Sequence, residues 1–369
     1  MTNGLLPEGL RDRLPPEAEA AASILRAVLD CVARHGYNRV VPPLAEFEEE
    51  LAGRLKSARA QDLLRFVDPV SQRTLALRPD ITAQIGRIAT TRMAADARPL
   101  RLCYGGPVLK LRATQLRPER ELTQAGAELV GSDSVAAAIE VIAVAIEALA
   151  STGVKNITLD LTMPDLVDAL AAGPWPLAVE RLEGVKAALD AKDAGALSAP
   201  DAAAYLPLIA AAGPFDAAIA QLRALGLGDA LEVRLTALEA IARALGADVR
   251  ITLDPTERHG FEYQSWIGFS LFGEGLAGEA GRGGSYTILH SDGREEPATG
   301  FSLFLDPLVD AGLMQGTARR VFIPLGAPAG AAAKLRSEGW VTVAAICPAC
   351  NAVTLDCTHR LQGAEPVAL

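Results

Sequence analysis

The chain has 369 residues, half of them apolar, and a formal net charge of −10. That length suits two or three domains with a sizeable core, and the acidic balance argues against a large polyanionic partner such as tRNA, which a binder meets with a basic footprint. No apolar run reaches the roughly 18 residues of a membrane span, and five cysteines in a chain this long read as reduced thiols of a cytoplasmic protein, not as a disulfide framework.

The N-terminal stretch MTNGLLPEGLRDRLPPE is charged and broken by prolines, with no apolar core of a secretion signal. Residues 15–36 then predict a helix, with Ile24, Val28, Cys31 and Val32 on one stripe and Gly36 as its stop. YNRVVPPLAEF reads as a short strand ended by Pro42 and Pro43. LLRFVDPVSQRTLAL reads as a hairpin turning near Asp68–Val70. RPDITAQIGRIATTRM predicts a helix begun by Pro79, with Asp80 in its first turn.

RPLRLCYGGPVLKLRA and ERELTQAGAELVG predict two strands joined by a polar loop around Gln115–Glu119. A helix over SVAAAIEVIAVAIEALASTG and a strand at NITLDLT follow. Residues 165–246 are Ala- and Leu-rich and cut by Gly–Pro pairs, which predicts a helical insertion. Strands return at DVRITLD, FEYQSWIGFSLF and SYTILH. ATGFSLFLDPL reads as a strand feeding a helix, with Asp306 and Pro307 at the helix start. RRVFIPLG, APAGAAAKLRSEG and WVTVAAIC close the chain as strand, helix and strand.

The expected fold is therefore α+β: mostly antiparallel strands with helices packed on one side. The expected division is a core in two parts, 1–164 and 247–318, a helical insertion over 165–246, and a small α/β module over 319–369.

Few motifs carry chemistry. Four histidines are scattered, and no phosphate-binding P-loop, G-x-S-x-G or H-E-x-x-H signature occurs. The glycine-rich segment 273–284 reads as a flexible hairpin loop. Cys347, Cys350, Cys357 and His359 have C-x2-C-x6-C-x-H spacing, which a Cys3His zinc site accepts. VTVAAIC and AVTLDC also read as strand ends, where buried thiols are ordinary, so no metal site is assigned. On ERELTQAGAELVG the period of two places Gln124 and Glu128 on one face with Gly126 between them. Either that face is exposed, or it is buried and Glu128 meets a cation or amine in the room left above Gly126.

Four segments in order, GYNRVVPPLAEFEEEL, LALRPDITAQIGRIA, GGPVLKLRATQLRPERELTQAGAELVG and TGFSLFLDPL, resemble the landmarks of the class II core of histidyl-tRNA synthetases. The resemblance covers roughly 7–165 and 247–310, and is strongest to the non-catalytic paralogues of these enzymes, the regulatory subunits of ATP phosphoribosyltransferase. It implies an antiparallel sheet flanked by helices. It also implies a subunit that activates a short-form catalytic partner in the first step of histidine biosynthesis and confers feedback inhibition by histidine. A synthetase-like dimer within a hetero-octamer is the implied assembly, with no tRNA, no membrane and no cofactor.

By the same resemblance, Asp80, Thr82, Gln124, Glu128, His259, Tyr263 and Tyr286 correspond to histidine-contacting positions. Asp80 and Glu128 would accept from the ammonium, and the two tyrosines would wall the imidazole. His259 stands where the synthetases have an arginine that activates histidine, and Pro307 where they hold an arginine over ATP. Lys110 and Arg112 replace an arginine and a glutamate of the ATP loop, and SWIG at 265–268 departs from the family's Thr-Gly. A planar guanidinium fork is not replaced by proline, so catalysis is expected to be absent. With about 60 residues after Pro307 in this sequence, an anticodon-binding domain is not expected. The alternative is a truncated histidyl-tRNA synthetase-like enzyme that activates an amino acid.

Overall fold

The computed structural model describes residues 5–369 except 54, 56–62, 113–117, 248, 259, 261–262 and 317. Two compact units emerge, Met1–Met314 and Gln315–Leu369. The first begins with α1 (Glu17–Arg34), β1 (Asn38–Arg39), β2 (Ala45–Phe47), α2 (Glu48–Ala52), β3 (Leu64–Val67), β4 (Thr74–Leu77) and α3 (Thr82–Thr91). It continues through β5 (Leu100–Leu109), β6 (Glu121–Val130), α4 (Val135–Ala150) and β7 (Thr158–Thr162). The Ala-rich stretch follows as α5 (Leu166–Ala171), α6 (Val179–Asp190), α7 (Pro207–Ala210), β8 (Gly213–Pro214), α8 (Phe215–Ala224) and α9 (Asp229–Leu245). The chain then returns to the sheet as β9 (Arg250–Leu253), β10 (Gln264–Phe272), β11 (Gly281–Leu289), β12 (Glu295–Phe304) and α10 (Asp306–Asp310).

Nine of these strands form one sheet in the order β1-β5-β6-β12-β11-β10-β7-β9-β8. Its centre, from β5 to β10, is antiparallel, while β1–β5 and β7–β9 pair in parallel. A small sheet, β2-β4-β3, stands apart, and β3 and β4 form the predicted hairpin.

Period-two alternation sorts β6 between two cores. Ala125, Ala127 and Leu129 pack with Ile24, Val28 and Val32 of α1 and with Val141 and Ala145 of α4. Leu122 and Val130 face the other way and pack with Ile85 and Ala89 of α3. Helices thus cover both faces, where the sequence led us to expect one; α3 is short and its apolar stripe is narrow. Helix α4 starts as its sequence suggests, with the Ser134 hydroxyl accepting from Ala137 N–H.

Two local expectations fail. Helix α3 starts at Thr82, not at Pro79, because the Asp80 carboxylate accepts from Thr82 N–H at 2.7 Å and turns the chain one step later. The glycine-rich segment is not all loop either: Gly281–Gly284 are ladder residues of β11, paired with β12.

The second unit holds β13 (Arg320–Ile323), α11 (Ala329–Ser337), β14 (Val341–Ala344), β15 (His359–Gln362) and β16 (Glu365–Ala368), in the order β14-β13-β15-β16. Its β15–β16 hairpin had no strong sequence signal. Ala352–Asp356 form turns, so Cys357 does not end a strand as the reading of AVTLDC required.

Candidate functional site

Register builds the site. One row across the sheet is Tyr104, Gly126, Ser302 and Arg282, on β5, β6, β12 and β11. The next is Leu102, Glu128, Gly300 and Gly284. These side chains emerge on the α3 face, where glycines leave room between larger neighbours. A Cβ at Gly300 would collide with the Glu128 carboxylate, so the glycine makes the space that the carboxylate fills.

Glu128, 1 % exposed, is therefore buried, which settles the face left open by the sequence pattern. Tyr104 donates to its Oε1 at 3.0 Å and Tyr286 to its Oε2 at 2.8 Å. Among the described residues no cation forms an ion pair with it. Burial, with the nearby Asp80 charge, pushes its carboxyl up to about 8 against the pull of the phenols. At neutral pH the group is mostly protonated.

Gln124 is buried behind it. Its Oε1 accepts from Ile81 N–H at 3.0 Å, and its Nε2 donates to Asp80 Oδ2 at 2.8 Å and to Ser302 Oγ at 2.6 Å. Thr82 Oγ1 lies 3.4 Å from the Tyr104 hydroxyl. Tyr263 meets Tyr286 edge to face at 5.9 Å between ring centroids. Six of the seven expected residues, Asp80, Thr82, Gln124, Glu128, Tyr263 and Tyr286, thus share one network or its wall. His259 lies outside the described residues.

The room expected above Gly126 is not there. A Cβ on Gly126 would meet the Tyr104 ring and hydroxyl, so this phenol occupies the space. Tyr104 is one of two residues that the sequence reading missed; LCYGG offered only an aromatic before two glycines. The other is Arg282, hidden in GRGG.

Two cavities meet at Tyr263 and Arg282. One, of about 10 Å³, touches Thr82, Glu128, Gln264, Tyr286 and Gly300. It has the room of one water. The other is a cleft of about 470 Å³ lined by Asp80, Lys110, Arg112, Glu119, Leu122 and Phe304. Tyr263 and Arg282 thus border both the cleft and the small space at Glu128.

This geometry can be compared with known proteins. A family model of histidyl-tRNA synthetase matches residues 9–308. The chain is 43 % identical to the ATP phosphoribosyltransferase regulatory subunit of Paramagnetospirillum magneticum, over 97 % of this chain and 96 % of that one. The protein of that name from Rhodospirillum centenum is 42 % identical, over 97 % and 93 %. The chain belongs to the ATP phosphoribosyltransferase regulatory subunit family. These names describe a regulatory, non-catalytic chain. Among solved structures, an ATP phosphoribosyltransferase regulatory subunit/histidyl-tRNA synthetase from Bacillus halodurans superposes with a TM-score of 0.81 at 25 % identity, covering 96 % of both chains. A histidyl-tRNA synthetase from Nostoc shares the fold, with a TM-score of 0.75 at 15 % identity over 96 % of this chain and 88 % of that one.

The Pro307 position borders an acidic cavity. Pro307 lines a cavity of about 310 Å³ with Glu119, Glu279, Asp306 and Asp310. Arg11 and Arg13 hold Asp310 and Asp306 at 2.7 and 2.5 Å. Those cations come from the N-terminal segment and are already engaged. No helix among the described residues is long and apolar enough to cross a membrane.

The C-terminal cysteines are only partly gathered. Cys347 and Cys350 face each other with 3.0 Å between sulfurs. The Cys357 thiol instead contacts Leu355 O, and the His359 ring packs edge-on against Trp340.

Proposed function

We propose that this chain is the cytoplasmic regulatory partner of a short-form ATP phosphoribosyltransferase catalytic subunit, and that free histidine is its effector. The partner performs the phosphoribosyl transfer; this chain is needed for its activity. The observation that carries the effector reading is Glu128, a buried carboxylate held by two phenols, with no ion-pair partner among the described residues, beside a cleft. Such a group favours a ligand that brings its own cation, as the ammonium of an amino acid does.

The remaining chemistry fits the rest of histidine. Tyr263 and Tyr286 form an aromatic corner for an imidazole, and Asp80 offers a second acceptor. Arg282 lines both cavities and is paired with Glu279; by exchanging that partner it would meet the ligand carboxylate, a role that a histidine fills less well than a guanidinium fork.

The approximately 10 Å³ at Glu128 cannot hold a histidine, so binding selects a state in which Tyr263 and Arg282 have moved. A ligand shifts an equilibrium only by its differential affinity for two states. A pocket that is closed in one state and open in another supplies that difference. A dimer of this chain within a hetero-octamer is the assembly that the resemblance supports.

The test is reconstitution with the catalytic subunit. Activity should require both chains and fall with histidine, and the isolated chain should give no pyrophosphate exchange with histidine and ATP. Robust exchange would instead establish the amino-acid-activating alternative.

A further inference from the structure

Away from the Glu128 network, helices α1 and α4 bring together a thiol, an imidazole and a carboxylate. Cys31 and His35 are four residues apart and so share a face at the end of α1. Glu147 comes from the last turns of α4, which packs against α1 through Ile24, Val28, Val141 and Ala145. His35 Nε2 lies 2.9 Å from Glu147 Oε2. The Cys31 sulfur, one atom of His35 and one of Glu147 all lie within 4.8 Å of one another. Among the described residues this is the one cluster of three such ligand atoms, and the C-terminal cysteines do not form another.

We propose that Cys31, His35 and Glu147 form a three-ligand site for a divalent transition metal of the zinc class, with water in the fourth position. A thiolate, an imidazole and a carboxylate are a borderline-soft set that zinc accepts and that magnesium and calcium do not favour. Thiolate and carboxylate together cancel the charge of a divalent ion. A tetrahedral ion with bonds of about 2.0–2.3 Å needs ligand atoms roughly 3.3–3.8 Å apart. The His35–Glu147 contact at 2.9 Å would have to open slightly, and the sulfur to draw nearer, to seat the ion.

Access matches as well. Cys31 forms a floor that is 2 % exposed. The His35 and Glu147 side chains at the mouth are 33 % and 60 % exposed. An ion would approach from the side of these two exposed ligands. An ion binds the thiolate, so binding releases the thiol proton to solvent. The site would tie α1 to α4, so metal should raise the unfolding temperature.

The experiment uses the full-length chain, stripped with chelator and titrated with cobalt(II) as the probe. Zinc is then added to displace the cobalt. The wild type and the double variant C347S/C350S should each take up about one equivalent and develop thiolate-to-cobalt absorption. C31S should lose that absorption, and H35N and E147Q, both altered at the exposed mouth where folding is not at risk, should bind at least roughly tenfold more weakly. Absorption that survives in C31S but disappears in C347S/C350S would move the site to the C-terminal pair and overturn the proposal. So would stoichiometric binding that H35N and E147Q leave unchanged, or the absence of binding in every variant.

Discussion

Two buried carboxylates flank strand β12, and they are satisfied in opposite ways. Asp306 accepts from Thr123 N–H at 2.7 Å and pairs with Arg13 at 2.5 Å, so the protein supplies its counter-charge. Glu128 accepts from two phenols, and among the described residues it has no ion pair. Burial raises both carboxyls above their ordinary values, and it raises Glu128 to about 8. The difference separates a structural carboxylate from a receptive one. At Asp306 a ligand cation would have to displace an arginine already in place; at Glu128 it would meet a proton.

The largest test of that contrast is stability against pH. The folded-state value of Glu128 is raised from 4.5 to about 8. Its stabilising contribution is therefore fully present below about 4.5 and is lost as pH rises through about 8, because the folded protein binds the proton more tightly than the unfolded chain. The difference in unfolding free energy between wild type and Glu128→Gln should fall by ~1.4 kcal/mol per pH unit inside that window. Between about pH 5 and 7.5 that is roughly 3 kcal/mol. Urea unfolding at several pH values measures it. Parallel curves for the two proteins would show that Glu128 is not the proton-holding group.

Arg13→Ala sharpens the other half of the comparison. It leaves Asp306, 4 % exposed, with its backbone donor but without its guanidinium. The expected cost is about 2 kcal/mol of stability, with histidine affinity unchanged. A large loss of histidine binding in this variant would mean that the two carboxylates are one coupled site.

Glu128→Gln reverses that pattern. The amide keeps the shape and, at neutral pH, nearly the charge of the protonated acid, so folding and assembly should survive. Histidine binding should weaken by roughly tenfold to a hundredfold, or about 1.5–3 kcal/mol, because the ammonium loses its carboxylate. The inhibition constant of the reconstituted complex should rise while the uninhibited activity stays the same. Unchanged inhibition would place the effector site elsewhere, most simply on the catalytic subunit.

How far this site could be read from sequence follows from the kind of signal each part leaves. The period of two on ERELTQAGAELVG placed Gln124 and Glu128 on one face, and the strands, the hairpin and α1 followed their apolar patterns. Burial of that face could not be read, because it depends on α3 closing over it. Nor could the contents of the space above Gly126. Tyr104 reaches it through cross-strand register, and register is a property of two strands, not of one. Arg282 was lost for a related reason. Glycines that look like loop residues in sequence are, in β11, close-approach positions against β10 and β12. Asp80 lies just before the helix and not in its first turn, and its carboxylate accepts from Thr82 N–H, which has no partner within the helix.

Ligand binding and the buried proton are also linked. If histidine binds through its ammonium, Glu128 must ionise, and the proton leaves. The carboxyl sits at about 8, so below that pH each unit of acidity should weaken this contribution roughly tenfold. Histidine affinity should therefore rise from pH 6 toward about 8 and then level. The imidazole of the ligand also titrates, near its ordinary value of about 6.5, and would tilt the same curve. Glu128→Gln separates the two effects, since it keeps the ligand's titration and removes the protein's. Calorimetry in buffers of different ionisation enthalpy would count the proton released by wild type and absent in the variant. Equal proton release from both would show that histidine binds without ionising Glu128, and that the carboxylic acid acts only as a neutral hydrogen-bonding wall.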